Sequence, residues 1–385
     1  MIKRTFWVER IESAWKKRSI IWLAGVRRAG KTVLCESLSD IEYFDCEKPR
    51  TRDRLDDPET FLDSLGPRRI VLDEIHRLDN PSQLLKIAAD HYPHLRILAT
   101  GSSTLASSTK FKDTLTGRKT NLWLTPMNTW DLKDFGGHLE NRLLKGGLPA
   151  FYLSPHVSEV EFQEWMDDYW AKDIQELFRL ERRASFLKFA QLLFLQSGGI
   201  FEASALAKPC EISRPTIMNY LTVLEETFVA HVVRPFSSHK PTEIVAAPKV
   251  YGFDTGFVSY FRGWESLRPD DKGPLWEHLV LNEIHGLTQG SEEIRYWRDK
   301  QGHEVDFVWS RRGRSPVAIE CKWSSRHADT ENLGVFRKHY PEGDNWIVAA
   351  DVRTPYPRRF GDVTVQMIGL EHLPQKLGTL ARSNL

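Results

Sequence analysis

Gly25-Val26-Arg27-Arg28-Ala29-Gly30-Lys31-Thr32 decides how this chain is read. The run follows G-x-x-x-x-G-K-[ST], a loop whose backbone N–H groups wrap phosphate oxygens. Ile20–Ala24 before it is an apolar run and reads as a buried strand; Thr32–Leu38 after it reads as the start of a helix. Strand, loop and helix together set the glycines where the backbone must turn toward an anion. The N–H groups from Arg28, Ala29, Gly30, Lys31, Thr32 and Val33, with Gly25 opening the turn, are expected to cradle ATP. Lys31 is expected to reach the β- and γ-phosphates, and Thr32 to hold Mg²⁺.

Some forty residues after Lys31, Arg69-Ile70-Val71-Leu72-Asp73-Glu74-Ile75-His76 forms an apolar strand ending in two acids. Asp73 is expected to hold Mg²⁺ and Glu74 to polarise the attacking water, because hydrolysis needs a cation on the phosphates and a base on the nucleophile. Leu95–Ala99 is a further strand, ending in Thr100-Gly101-Ser102-Ser103. A polar residue there, Thr100 or else Ser102, is placed to orient the water; Ser102 or Ser103 could equally cap a helix. Arg118 precedes another strand, Asn121–Leu124, where an arginine finger for a neighbouring subunit would stand; a surface arginine is the other reading. With Glu42–Asp45, these strands alternate with helical stretches. The pattern predicts an α/β fold, a parallel sheet with helices on both faces and its ligand at the carboxyl ends of the strands.

The composition is that of an ordinary globular protein: 385 residues, 41% hydrophobic, 27% charged, net charge +1. No global basic field points to nucleic acid, so any such surface must be local. Cys35, Cys46, Cys210 and Cys321 are scattered, without metal-thiolate spacing. No stretch approaches the ~18 apolar residues of a membrane helix. The expectation is a soluble, cytoplasmic protein with no membrane partner.

GVRRAGKT, IVLDEIH, ATGSS, LTGRKTNLWLTPM and GGLPA (Gly146–Ala150) resemble a group of prokaryotic AAA-family ATPases over nearly the whole chain. The resemblance implies a P-loop AAA+ core that binds and hydrolyses ATP, then a winged-helix segment and a C-terminal domain of poorly known function. The expected division is 1–150 for the core, 151–245 for a helical lid and winged helix, and 246–385 for the last domain.

Phe162, Trp165, Met166, Tyr169, Ile174, Leu177 and Phe178 fall at helical spacing and read as amphipathic helices lying on the nucleotide. Asp173 reads as a cap or a salt bridge, and Arg179, Arg182 and Arg183 as a solvated face that could also meet phosphate. Ala203–Ala207 followed by Ser213-Arg214-Pro215-Thr216 and Ile217, Tyr220, Leu221, Leu224 is a helix-turn-helix pattern, with Ser213 as N-cap and a wing over 229–235. Its exposed face would carry Arg214, Met218, Asn219 and Thr222, while Glu225 and Glu226 would repel phosphate.

Leu275–Leu287 reads as a helix; Ile294–Arg298, Glu304–Trp309 and Pro316–Trp323 read as strands. Asp306 followed by Glu320-x-Lys322 resembles the PD-(D/E)-x-K constellation of restriction-endonuclease-like folds. Residues i and i+2 of a strand share a face, so Glu320 and Lys322 point together, and a hairpin brings Asp306 alongside. Asp306, Glu320 and the Cys321 carbonyl could hold Mg²⁺, with Lys322 positioning water. A helical glutamate should complete the set: Glu277, by its spacing from Gly273, or Glu283. Val305 stands where the motif has proline. Arg295, Arg298 and Lys300 would meet phosphates. These readings together point to an ATPase acting on duplex or branched DNA as a homo-oligomer. Its nuclease-like domain either cuts the DNA or only grips it. A nucleotide-dependent switch with a protein partner is the alternative.

Overall fold

The computed structural model describes residues 2–101, 114–155, 158–175, 178, 180, 182–237, 247–289, 293–311 and 313–382. Ser102, Ser103, Leu177 and Arg179 lie outside the described residues. Two compact units emerge. The first comprises Met1–Gly137, Leu148–Glu181 and Glu226–Phe228; the second comprises His138–Gly147, Arg182–Glu225 and Val229–Leu385.

The first unit is built on five parallel strands: β1 (Ile20–Ala24), β2 (Ile41–Asp45), β3 (Arg69–Asp73), β4 (Arg96–Thr100) and β5 (Lys119–Trp123). Their order is β2-β3-β4-β1-β5. Every residue of β1 is buried, as are the last four of β3 and β4. That is why these strands read as unbroken apolar runs: a parallel sheet is covered on both faces. The helices of this unit include α1 (Thr5–Trp15), α2 (Lys31–Glu36), α3 (Pro81–His91) and α4 (Glu159–Asp168). A short π-helical stretch, Tyr169–Gln175, continues α4, so the segment keeps one buried face through Trp165, Tyr169 and Ile174.

The second unit carries a nine-stranded mixed sheet. Its strands are β6 (Gly199–Ile200), β7 (Ala230–Pro235), β8 (Lys249–Gly252), β9 (Glu293–Arg298), β10 (Glu304–Ser310), β11 (Val317–Lys322), β12 (Asn345–Ala349), β13 (Tyr356–Phe360) and β14 (Val363–Ile368). The order is β13-β14-β12-β11-β10-β9-β7-β8-β6. Its helices include α5 (Arg183–Leu195), α6 (Arg214–Glu226), α7 (Pro269–Thr288) and α8 (Glu331–His339). Ser213 accepts a hydrogen bond from the Thr216 N–H at 3.3 Å, and Arg214, Met218, Asn219 and Thr222 are exposed on α6. The wing strand β7 pairs with β8 and, through Arg234 and Pro235, with β9. The expected boundary at 245/246 therefore falls inside one continuous sheet, because β7 offers one edge to β8 and the other to β9. The two glycines that open the GGLPA run, Gly146 and Gly147, also have a structural role within this unit. Gly146 has φ +86°, and a Cβ there would sit on the Asp254 carboxylate; Asp254 accepts the Gly147 N–H at 2.6 Å and caps the helix at Gly256. Among the described residues no helix is long and apolar enough to cross a membrane.

Candidate nucleotide site and acid cluster

Strands β1, β3 and β4 are neighbours in the sheet, so their carboxyl ends bring Gly25, Asp73 and Thr100 together. Gly25 has φ +154°, and a side chain there would collide with the Leu124 carbonyl. The loop then curls back on itself. Lys31 Nζ donates to the Gly25 and Val26 carbonyls at 2.9 and 3.2 Å. Burial holds the Lys31 ammonium below its ordinary pKa, against the opposing charges of Glu74 and Asp173. A cavity of about 390 Å³ opens over the loop; its lining includes Arg27, Arg28, Lys31, Thr32, Glu74 and Asp173.

Asp73 is buried and collects hydroxyls. Thr32 Oγ1 and Tyr43 OH donate to its Oδ2 at 2.9 and 2.5 Å, and Thr100 Oγ1 donates to Oδ1. Thr100 is fully buried, and its oxygen also accepts the Glu74 N–H at 3.0 Å. Its hydroxyl thus ties the Glu74 backbone to the Asp73 carboxylate. Glu74 sits at φ +53°, which turns its side chain into the cavity. Burial opposes its ionisation, but the His76 hydrogen bond and the Lys31 charge outweigh that and hold its carboxyl below the usual range. The Thr32 hydroxyl and Asp73 carboxylate lie about as far apart as adjacent ligands on an octahedral Mg²⁺, roughly 3 Å. This all-oxygen donor set fits the ion.

The loop is also held from outside. Arg27 pairs with Asp173 at 2.9 Å, Arg28 with Asp168 at 3.0 Å, and Trp165 Nε1 donates to the Arg27 carbonyl at 3.2 Å. Asp173 is thus a salt-bridge residue. Arg4 was not anticipated. It is 4% exposed and donates from Nη1 to the Ala29 carbonyl at 2.8 Å, and from Nε and Nη2 to Asp131 at 2.8 and 2.5 Å. Tyr43 and His76 were likewise missed. An alternating strand shows which face Tyr43 takes, but not that a carboxylate waits on the neighbouring strand. Arg118 makes a two-pronged pair with Asp90 at the end of α3, at 2.7 and 3.1 Å.

In the second unit, β10 and β11 pair antiparallel with Phe307 opposite Ile319, which sets Asp306 beside Glu320. A bulge between Val305 and Val308 re-aims this part of β10. Asp306 Oδ2 accepts the Cys321 N–H at 2.7 Å. Lys322 pairs with Glu320 at 3.3 Å and with Asp329 at 3.5 Å. Burial, then the Glu320 and Glu277 charges, push the Asp306 pKa well up; burial likewise raises that of Glu320, against Lys322. Of the two helical glutamates it is Glu277 whose charge bears on both acids, and Glu283 is buried elsewhere on α7. Glu277 is not open, however. Lys249, on β8, reaches it at 2.9 Å and Glu304 at 2.8 Å, and Tyr251 OH also donates to it. Among the described residues no three His, Cys, Asp or Glu side chains are gathered to hold a metal. This acid cluster, unlike Thr32 and Asp73, does not fit Mg²⁺ as it stands.

Residues 17–132 match the model of an AAA domain family. Residues 136–268 and 272–370 match two domains of unknown function, DUF8612 and DUF4143. Uncharacterised proteins of Mycobacterium tuberculosis and Mycobacterium bovis are each 26% identical over 338 residues, covering 84% of this chain and 75% of theirs. Among solved structures, a Walker-type ATPase of Pyrococcus abyssi is 15% identical, covering 68% of this chain and 96% of that one, with a TM-score of 0.43.

Proposed function

We propose that this chain, an AAA-family ATPase through its residues 17–132, hydrolyses ATP to act on DNA, which its second unit holds. The observation that carries the ATPase half is the convergence of Lys31, Thr32 and Glu74 on one cavity, with Asp73 hydrogen-bonded to the Thr32 hydroxyl. Thr32 and Asp73 would hold Mg²⁺, which screens the phosphate charge when bound. Lys31 leaves its own loop's carbonyls for the phosphate oxygens, and the loop N–H groups take the rest. Glu74, kept ionised, draws the proton from the attacking water. Thr100 keeps Asp73 and Glu74 in register. In the proposed homo-oligomer, Arg118 turns from Asp90 to a neighbour's nucleotide.

Two features support the DNA half: the exposed Arg214, Met218, Asn219 and Thr222 on α6, and the Asp306, Glu320 and Lys322 group at the β10–β11 pair. The state of the acid cluster favours a grip on DNA over cleavage. ATP turnover measured with linear, forked and four-way DNA tests this. We expect at least one of these DNAs to raise the rate several-fold, and none to be cut in Mg²⁺. A rate indifferent to every DNA would remove the DNA reading, leaving a nucleotide-dependent switch. Cutting that is lost in Asp306→Ala would replace the grip with a nuclease.

A further inference from the structure

Four carboxylates gather around the β10–β11 pair: Glu277, Glu304, Asp306 and Glu320. Besides Lys322, a cation reaches them from β8 of the same sheet. Lys249 opens β8, the second strand of the winged-helix hairpin, and is 4% exposed. Its ammonium lies 2.9 Å from Glu277 and 2.8 Å from Glu304. A buried lysine is costly unless it is paired and hydrogen-bonded, and this one is paired twice. Tyr251, two residues on along the same strand, donates to the same Glu277 oxygen. Asp306 has one oxygen taken by the Cys321 N–H. Glu320, 3% exposed, keeps Oε1 without a hydrogen-bond partner among the described residues. Of the carboxylates that would share a divalent ion, Glu277 is thus held by Lys249, Asp306 by a backbone amide and Glu320 by Lys322.

We infer that Lys249 is a tethered cation that takes the place of a divalent metal in this acid cluster. The inference rests on reading the cluster as nuclease-like, and it makes the unmodified site unable to hold a metal. Lys322, itself a member of the nuclease-like constellation, pairs with Glu320 and Asp329, while Glu277 is left to Lys249. Lys249 is held in place between Glu277 and Glu304 with its side chain almost wholly out of solvent. A Mg²⁺ or Mn²⁺ ion would have to enter against it.

The test is Mn²⁺ binding to the full chain without nucleotide or DNA, read by the loss of the free-ion electron-spin signal. An Asp73→Asn background removes the Mg²⁺ position of the first unit. The parent is expected to show no site that depends on Asp306. Lys249→Met is expected to gain one site per chain, at least about tenfold tighter than anything in the parent and lost on adding Asp306→Asn. A parent site abolished by Asp306→Asn would overturn the inference, as would a folded Lys249→Met that gains nothing. If Lys249→Met fails to fold, Lys249→Met with Glu304→Gln removes one charge of each sign and carries the same prediction, while the parent titration stands by itself. None of these outcomes touches DNA-stimulated turnover, so the inference and the DNA reading fail separately.

Discussion

Glu74→Gln should leave ATP binding intact and slow its turnover at least about a hundredfold. Glutamine fills the same space but cannot take a proton. The side chain does little structural work: the φ of +53° and the backbone N–H bond to Thr100 belong to the main chain and survive the change. What is lost is a carboxylate kept ionised in the cavity by His76 and Lys31. Initial rates of phosphate release beside binding of a fluorescent ATP analogue separate the two effects. A rate within about twofold of the parent would show that Glu74 is not the base.

Arg4→Ala should destabilise the first unit by about 3–5 kcal/mol, the range for removing one partner of a buried ion pair. The guanidinium makes a two-pronged contact with Asp131, which is fully buried and also takes the Trp7 indole N–H at 3.1 Å. Alanine would strand that carboxylate and release the Ala29 carbonyl. Weaker ATP binding should accompany the lost stability, since Ala29 is the residue before Gly30 and Lys31. Arg4→Lys should be intermediate: it keeps the charge but not the fork that reaches Asp131 and Ala29 together. Urea unfolding followed by tryptophan fluorescence, with Trp7 and Trp22 buried in this unit, measures the change. An Arg4→Ala protein as stable as the parent would mean that the pair contributes nothing.

These cases also show what the chain makes legible. The phosphate loop and the strand ending in Asp73 and Glu74 could be read directly, because wrapping a triphosphate demands fixed residue types at fixed local spacing. The parallel order of β1, β3 and β4 follows from the same alternation of apolar strands and helices. Asp306, Glu320 and Lys322 were legible for a similar reason, since strand alternation and one hairpin bring them together. Arg4 was not. Its partner lies 127 positions away, and no local pattern marks one arginine of a Lys-Arg pair as buried. Lys249 escaped for the same reason: it meets Glu277 and Glu304 only because β7 ties the winged helix to β9. Thr100 was found by its position at a strand tip, but its bonds to Asp73 and the Glu74 N–H run across the sheet and leave no local mark. Local chemistry can be read from local sequence. Long-range ion pairs, which decide whether a constellation is open to its ligand, cannot.

The most direct test is ATP binding and turnover in Lys31→Ala beside the parent. In the folded chain Lys31 is satisfied by the Gly25 and Val26 carbonyls, so its removal should spare the fold and strike the phosphate contacts. The account predicts that the parent binds and hydrolyses ATP with Mg²⁺ and that Lys31→Ala, still folded, hydrolyses none. A Lys31→Ala protein that turns over ATP at the parental rate would contradict it.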